Sequence, residues 1–581
     1  VTGEREPRTR DGADGIRAAA RAWLAGDPDP STRAELLALL DADDMTELMS
    51  RFAAVVEFGT AGMRALLGAG PARMNRAVVI RACAGLASHW LARTPDAKAR
   101  GVVVACDARH MSRTFADDAA GVFAAGEWRV HRFAEPVPTP LLAFAVAHLR
   151  AAAGVMITAS HNPALYNGIK IYGASGAQVI PPEDADIARA IAEAPEAVGV
   201  PRDSMEEAQA KRLLVEVGPD VGDAYVEAVG ALRLTPKPRA PLTIVYTPLH
   251  GVGLAWAARA LAAAGFAAPV AVPEQAMPDP RFPTAPFPNP EERGTLDLAL
   301  GLARKKAADL VVANDPDADR LAVAVPGGDG AFVPLTGNQI GVLLGHHLLT
   351  ARPARGERAV ISTIVSSPML GVIARALGVH YEETLTGFKW IADRALALAR
   401  EGMRFVFGYE EALGYAVSDI VMDKDGISAA VVFADLAATC KSRGISVLAY
   451  LEELYRQFGL YASSQRTVSL AAESGAGHAL MVKLRRAHPA HLGGRAIRAW
   501  RDYAVAAAPG GGRLPPSDVL AYELEGDTRV IVRPSGTEPK LKCYLDHREP
   551  LAQDEPLAAA EERAARAMAE IGDELPELFR A

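Results

Sequence analysis

The chain has 581 residues, half of them hydrophobic and 23% charged, with a formal net charge of -8. That length predicts several domains, each large enough to bury a core without disulfides, and the acidic balance excludes a nucleic-acid binder that relies on a broadly basic surface. No apolar run reaches the roughly 18 residues of a membrane helix, and the four cysteines, Cys83, Cys106, Cys440 and Cys543, form no C-x-x-C pair of a zinc ribbon or redox site. Buried thiols in a reducing compartment are expected, and the charged stretch Val1 to Asp14 lacks the apolar segment of a secretory signal, so the expectation is a cytoplasmic protein.

Residues 1–50 read as a charged, Ala-rich helical extension, with a helix start near Asp41 to Met49 behind an acidic cap. From Gly101 a pattern repeats: a short apolar strand, a loop rich in Gly, Pro or polar residues, then an Ala/Leu-rich helix. The predicted strands are 101–106, 155–158, 242–246, 310–313, 360–364 and 404–407, and 141–149 reads as a helix. Continuous apolar strands alternating with helices predict α/β units with parallel strands covered on both faces. The Pro-rich stretch 272–293 reads as a connection. Beyond residue 460 the pattern changes to a short strand at 467–470, a helix near 477–487 and two strands flanking 533–540, a separate α+β domain.

Polar clusters stand directly after these strands, where open α/β sheets bind ligands. The first is Thr158-Ala159-Ser160-His161-Asn162-Pro163, followed by Asn167-Gly168-Ile169-Lys170. A serine on a tight polar turn can accept a phosphoryl group, with His161 and Lys170 to manage protons and anionic charge. Read alone, it is equally a solvated Ser/Asn/Pro turn. The second is Asp315-Pro316-Asp317-Ala318-Asp319-Arg320, whose carboxylates repel one another unless a cation sits among them. Hard oxygen ligands favour Mg²⁺ or Ca²⁺, but an EF-hand loop would need Gly where Arg320 stands and Glu where Pro326 stands. An acidic surface turn is the other reading.

The third cluster is Arg533-Pro534-Ser535-Gly536-Thr537-Glu538-Pro539-Lys540, a phosphate cradle or a plain hairpin turn. The fourth is Tyr409-Glu410-Glu411, whose carboxylates suit sugar hydroxyls and equally suit a solvated turn. Lysine is scarce in this Arg-rich chain, yet Lys170, Lys389, Lys424, Lys540 and Lys542 fall in or beside such clusters, which hints at compact point charges there.

Taken together and in this order, T-A-S-H-N-P at 158–163, D-P-D-A-D-R at 315–320 and R-P-S-G-T-E-P at 533–539 resemble the α-D-phosphohexomutase superfamily. Further matches are F-G-T-A-G-M-R at 58–64, T-G-F-K-W at 386–390 and D-K-D-G at 423–426, which with E-E-A-L-G-Y look like the phosphoglucomutase/phosphopentomutase subgroup. The resemblance spans residues 50 to 548. It implies three related α/β domains plus a smaller C-terminal α+β domain around a central cleft. The boundaries expected are 1–50 for the extension, 51–220, 221–335 and 336–460 for the α/β domains, and 461–581 for the last.

The resemblance also implies an isomerase that interconverts sugar 1-phosphate and 6-phosphate, with glucose as the first expectation. Phosphomannomutase, phosphopentomutase, hexose-bisphosphate synthase and a non-catalytic sugar-phosphate binder are the alternatives. Ser160 would carry the phosphoryl group. Asp315, Asp317 and Asp319, with an oxygen on Ser160, would bind one Mg²⁺, and a sugar 1,6-bisphosphate would activate. Lys170, Arg64 and His161 are expected near the transferring group. Arg320, Thr386, Gly387, Lys389, Glu410 and Lys424 are expected to bind substrate, and Arg533, Ser535, Gly536 and Thr537 to hold the non-reacting phosphate. A mobile C-terminal domain is expected as a lid. One departure stands out: many relatives carry Ser two residues after the Glu matching Glu410, and here it is Ala412.

Overall fold

In a computed structural model the described residues are 12–59, 62–234, 240–351, 356–469, 476–505, 514–534 and 540–580. The chain divides into two units, one of Val1–Arg233, Pro241–Ala324 and Asp419–Val431, the other of Leu234–Ala240, Val325–Ser418 and Val432–Ala581.

In the first unit the extension forms the helices Gly12–Gly26, Pro30–Asp41 and Met45–Phe52. Their starts follow from local chemistry. Asp29 accepts from the amide of Ser31 with Pro30 at the first helical position, and Asp44 accepts from the amide of Glu47 at 3.1 Å. Ile16, Ala20, Leu36, Leu48 and Phe52 close around Ala69, which lies just past the strand Gly62–Leu66. Arg51 and Glu35 complete that contact: the Glu35 carboxylate accepts from the amide of Ala69 at 2.9 Å and from Arg51 at 2.7 Å.

A seven-stranded sheet follows, in the order Phe58–Gly59, Gly62–Leu66, Tyr166–Gly173, Ala153–Ile157, Val102–Cys106, Val130–Arg132, Leu214–Glu216. Val102–Cys106 is buried throughout, as its Val-rich sequence requires of a central strand. It runs parallel to Ala153–Ile157 and Val130–Arg132. The strands predicted from the sequence pair in parallel as expected, and a strand that was not predicted runs the other way. Tyr166–Gly173 runs antiparallel to both Ala153–Ile157 and Gly62–Leu66, so the segment around Lys170 is a strand and not part of a loop. The connection after Ile157 is too short for the crossover helix that a parallel strand needs, so the chain turns back on itself. A second sheet has Val270–Ala271, Ile244–Thr247 and Leu310–Ala313 in parallel, with Ala322–Pro326 antiparallel to the last. The Pro-rich stretch carries no helix or strand between Ala271 and Asp297.

In the second unit, His380–Thr384, Arg358–Thr363 and Arg404–Glu410 run parallel, and Gly414–Ala416 pairs antiparallel with the third. Tyr409 and Glu410 therefore belong to a strand and do not follow one. The C-terminal sheet is antiparallel throughout, in the order Leu460–Ser469, Lys540–Glu549, Thr528–Pro534, Leu520–Leu524, Arg495–Asp502, His491–Leu492. The expected short strand at 467–470 is the end of a ten-residue one, with residue 470 outside the described residues. Helices Ala476–Arg486 and Leu557–Arg580 accompany this sheet. Ile364, Val365 and Leu385, just past the ends of the parallel strands, form one buried cluster with Tyr503, Val519, Ile531 and Tyr544 on or beside the antiparallel strands.

Candidate active site

The site in the first unit is assembled from the carboxyl ends of two sheets. Ser160 lies in the loop between Ala153–Ile157 and Tyr166–Gly173, at φ +50 and only 2% exposed. A non-glycine residue in the left-handed region is held there by its surroundings. The amide of Ser160 donates to Thr158 Oγ1 at 2.9 Å, and that hydroxyl donates to Asp107 Oδ2 at 2.7 Å. Arg109, buried beside Asp107, donates to the carbonyls of Ser160, Asn162, Pro163 and Tyr166 at 2.5 to 3.2 Å. One guanidinium thus satisfies four carbonyls in and just after the loop.

The Ser160 hydroxyl donates to Asp315 Oδ2 at 2.7 Å and lies 3.2 Å from His161 Nδ1. Asp315, Asp317 and Asp319 follow the strand Leu310–Ala313, are at most 1% exposed, and place carboxylate oxygens within 4.8 Å of one another. Their loop is braced from inside: Asn314 accepts from the Tyr246 hydroxyl at 2.6 Å and donates to the Arg320 carbonyl at 2.5 Å. Gly426 lies against the same loop, where a Cβ would stand 2.2 Å from the Arg320 oxygen.

The cation that this cluster demands is partly supplied by the chain. Lys170 Nζ donates to Asp317 Oδ2 at 2.7 Å and Asp319 Oδ2 at 2.6 Å, and Lys424 Nζ lies 3.3 Å from Asp319. Thr139 donates to Asp317 at 2.7 Å. The other oxygens of Asp317 and Asp319 are buried without a hydrogen-bond partner. Orphaned hard oxygens beside a third carboxylate and a hydroxyl are the donor set of a divalent ion such as Mg²⁺, so the residues present fit one.

Electrostatics follow from this crowding. Burial, then Asp317 and Asp319, push Asp315 up to about 8. Burial acts in the same direction on Asp319, but Lys170, Lys424 and Arg320 hold it well below the usual carboxylate range. Lys170 is pulled down by burial and carried above its ordinary value by Asp317 and Asp319, so it keeps its proton. Burial, with Arg320 and Arg64, drives His161 well below its ordinary value, so it is neutral at pH 7.

Arg64 sits on Gly62–Leu66 opposite Gly168 and donates to Asn162 Oδ1 at 3.3 Å. Arg320 is anchored by its amide to Asp315 Oδ1 at 3.1 Å, with its guanidinium 3.6 Å from Glu291. Ser160, Lys170, Lys424 and the three aspartates are therefore buried together, with His161, Arg64 and Arg320 half-buried around them.

The remaining candidates lie in the second unit. Thr386, Gly387 and Lys389 stand where His380–Thr384 passes into the helix Phe388–Arg400, with Gly387 at φ +112 as its N-cap. Glu410 ends Arg404–Glu410, on the other side of Arg358–Thr363 from His380–Thr384, and is 8% exposed. Arg533 is on Thr528–Pro534, while Ser535, Gly536 and Thr537 lie outside the described residues.

Four models of known domains match the chain in order: phosphoglucomutase/phosphomannomutase alpha/beta/alpha domain I over residues 55–197, domain II over 223–328, domain III over 336–458, and the C-terminal domain over 489–564. The chain belongs to the phosphoglucomutase/phosphomannomutase family, in the α-D-phosphohexomutase superfamily. Its fold is three α/β/α domains and a C-terminal domain, and it is an enzyme of the mutase type. A Schizosaccharomyces pombe relative named probable phosphoribomutase is 39% identical over 547 residues, 90% of this chain and 92% of its own length. A Haemophilus influenzae relative named probable phosphomannomutase is 39% identical over 496 residues, 84% of this chain and 96% of its own. A mouse relative named phosphopentomutase is 36% identical over 564 residues, 92% of this chain and 90% of its own. Among the described residues no helix is long and apolar enough to cross a membrane.

Within this family member, sequence reasoning missed Arg109, Asp107 and Thr139. Asp107 was visible only as the residue after a predicted strand. Thr139 had no signal, because its partner Asp317 is 178 positions away.

Proposed function

We propose that this phosphosugar mutase interconverts a pentose 1-phosphate and the corresponding 5-phosphate, ribose being the preferred sugar, through phosphorylated Ser160 and a sugar bisphosphate. The chemistry rests on one observation above others: the Ser160 hydroxyl lies against Asp315 in the same buried cluster as Asp317, Asp319 and Lys170. The sugar rests on the names of the S. pombe and mouse relatives, which match about nine-tenths of the chain. Ala412 also favours a departure from hexose reading, since the hydroxyl that many relatives offer there is missing. Glucose, the first expectation from the motifs, has less support, and the H. influenzae relative keeps mannose in the comparison.

In this reading the P–O bond from phosphoserine breaks as a sugar hydroxyl oxygen bonds to phosphorus. The Ser160 oxygen gains a proton and the sugar hydroxyl loses one. Lys170, which keeps its proton among carboxylates, is the candidate donor to the serine oxygen, and Arg64 offers positive charge beside it. Asp315, Asp317, Asp319 and the serine oxygen would hold one Mg²⁺, which when bound supplies neutralisation of phosphoryl charge. Arg109 and Thr158 fix the loop so that the serine need not reorganise during transfer. Glu410, Lys389 and Thr386 are the candidate sugar readers, and Arg533 the candidate holder of the non-reacting phosphate. The second transfer, from bisphosphate back to Ser160, reverses the same bonds on the other phosphate.

The test is a panel of ribose, glucose and mannose 1-phosphates with Mg²⁺ and the matching bisphosphate, with Ser160→Ala as control. Fastest conversion of ribose 1-phosphate, lost in the control, is the expected result. Fastest conversion of a hexose phosphate would overturn the pentose assignment. Net accumulation of bisphosphate from a separate donor would point to a synthase, and no turnover from phosphorylated protein would overturn the mutase.

A further inference from the structure

Arg529 is a half-buried cation with no place in the chemistry above. It lies on Thr528–Pro534, four residues before Arg533, and alternation along a strand puts both on one face of the sheet. Ile531, between them, packs into the cluster with Ile364, Val365 and Leu385. The face that carries Arg533 is therefore laid on the loop that follows Arg358–Thr363.

The guanidinium of Arg529 has three partners, one in that loop, one on His380–Thr384 and one on the adjacent strand Lys540–Glu549. It donates to the Ser366 carbonyl at 2.7 Å, to Asp546 at 2.8 Å and to Glu383 at 3.2 Å. Asp546 is itself held by the Ser463 hydroxyl at 2.6 Å. Ser366 in turn is fastened to the sugar-reading segment. Its hydroxyl accepts from the Glu411 amide at 3.2 Å and donates to the Glu411 carboxylate at 3.2 Å, with Thr363 Oγ1 at 2.8 Å. Glu411 is the neighbour of Glu410. Ser366 and Thr363 are both 0% exposed, so this link is shielded from water. A continuous chain of contacts runs from the strand of Arg533 through Arg529 and Ser366 to the Glu410 segment.

We infer that Arg529 is a positioning residue that sets the spacing between the phosphate grip of Arg533 and the hydroxyl reader Glu410, and thereby the choice between pentose and hexose phosphates. The inference rests on the proposed roles of Arg533 and Glu410. The physical ground is that the two sugar classes differ in the span from ring hydroxyls to terminal phosphate. A mutase must read both ends of that span at once. A bidentate guanidinium on a carbonyl and a carboxylate fixes such a distance better than a flexible ammonium does. A group that only stabilised the fold would lower turnover of every sugar alike.

The experiment measures kcat/KM for ribose 1-phosphate and glucose 1-phosphate in the wild type, Arg529→Lys, Ser366→Ala and the double variant, each with Mg²⁺ and bisphosphate. The ratio between the sugars is expected to shift by about threefold or more in each single variant, and the double variant to shift it no further than the larger single one, as members of one linkage do. Both sugars falling by the same factor would overturn the inference, as would a double variant whose shift is the product of the singles. Should Arg529→Lys lose its cooperative thermal transition, the ratio in Ser366→Ala decides alone. A wild type that converts neither sugar overturns the pentose assignment and the inference together, whereas an active wild type with unchanged ratios in the variants overturns the coupling only.

Discussion

At Arg109 a single side chain serves the backbone of the phosphoacceptor loop, and its charge is balanced by Asp107, each side chain being 1% exposed. Removing the cation leaves a buried carboxylate unpaired and the carbonyls without donors. Arg109→Met is expected to cost about 3–5 kcal/mol of stability. Arg109→Lys should recover only part of it, because an ammonium cannot span the same acceptors. Denaturant midpoints, with mass spectrometry of phosphate on Ser160, check both. His346 gives a pH prediction. Burial, with the nearby charge of His347, pushes its pKa from 6.5 down to about 4. Between those values the unfolded chain binds a proton that the native chain does not. Stability is therefore full above about 6.5 and falls as pH drops, by at most about 1.4 kcal/mol per pH unit from this group. His346→Gln should flatten that slope in denaturation curves from pH 7 to 5. The loss of its contact to Tyr450, 2.5 Å in the wild type, would show as a constant offset.

The elements of the site are joined where backbones come close. Gly62, at φ +89, lies where a Cβ would stand 2.1 Å from the Ile169 carbonyl, so only glycine lets the Arg64 strand pair with the Lys170 strand. Gly426→Ala is the gentler probe, since its Cβ would press the Arg320 carbonyl and the Asn314 amide that brace the metal loop. The expected outcome is a folded protein destabilised by about 1–3 kcal/mol, with a raised Mg²⁺ requirement. An unchanged Mg²⁺ titration of activity would show that the loop's brace does not reach the carboxylates. The direction of the Lys170 strand was not legible beforehand. Tyr166–Gly173 is apolar enough for either direction, and its antiparallel course comes from the short Ser160 loop.

Across the whole first unit, the N-terminal extension closes over the turn that follows the Arg64 strand. Leu48→Ala, at a fully buried position, is expected to cost about 2–5 kcal/mol. Glu35→Gln should weaken the Ala69 amide contact and the Arg51 pair, and lower mutase turnover without touching substrate. Parallel measurement of denaturation and kcat checks this. Turnover unchanged in a destabilised Glu35→Gln would confine the extension to stability. In the second unit, the cluster around Ile531 and the Arg529 network make the C-terminal domain and the domain before it one packed body.

Much of this was legible in the chain alone. The alternation of apolar strands with helices, the C-terminal change of pattern, and the serine, aspartate and arginine loops are contiguous signals, because each depends on residues within a few positions of one another. The tertiary structure decided the rest. It placed Lys170 among aspartates 147 and 149 positions away, set Thr139 against Asp317, and gave Arg109 four carbonyls to hold. Those contacts depend on which strands neighbour which, and in what direction. That order is settled by how buried faces pack together, and no local run of residues encodes it.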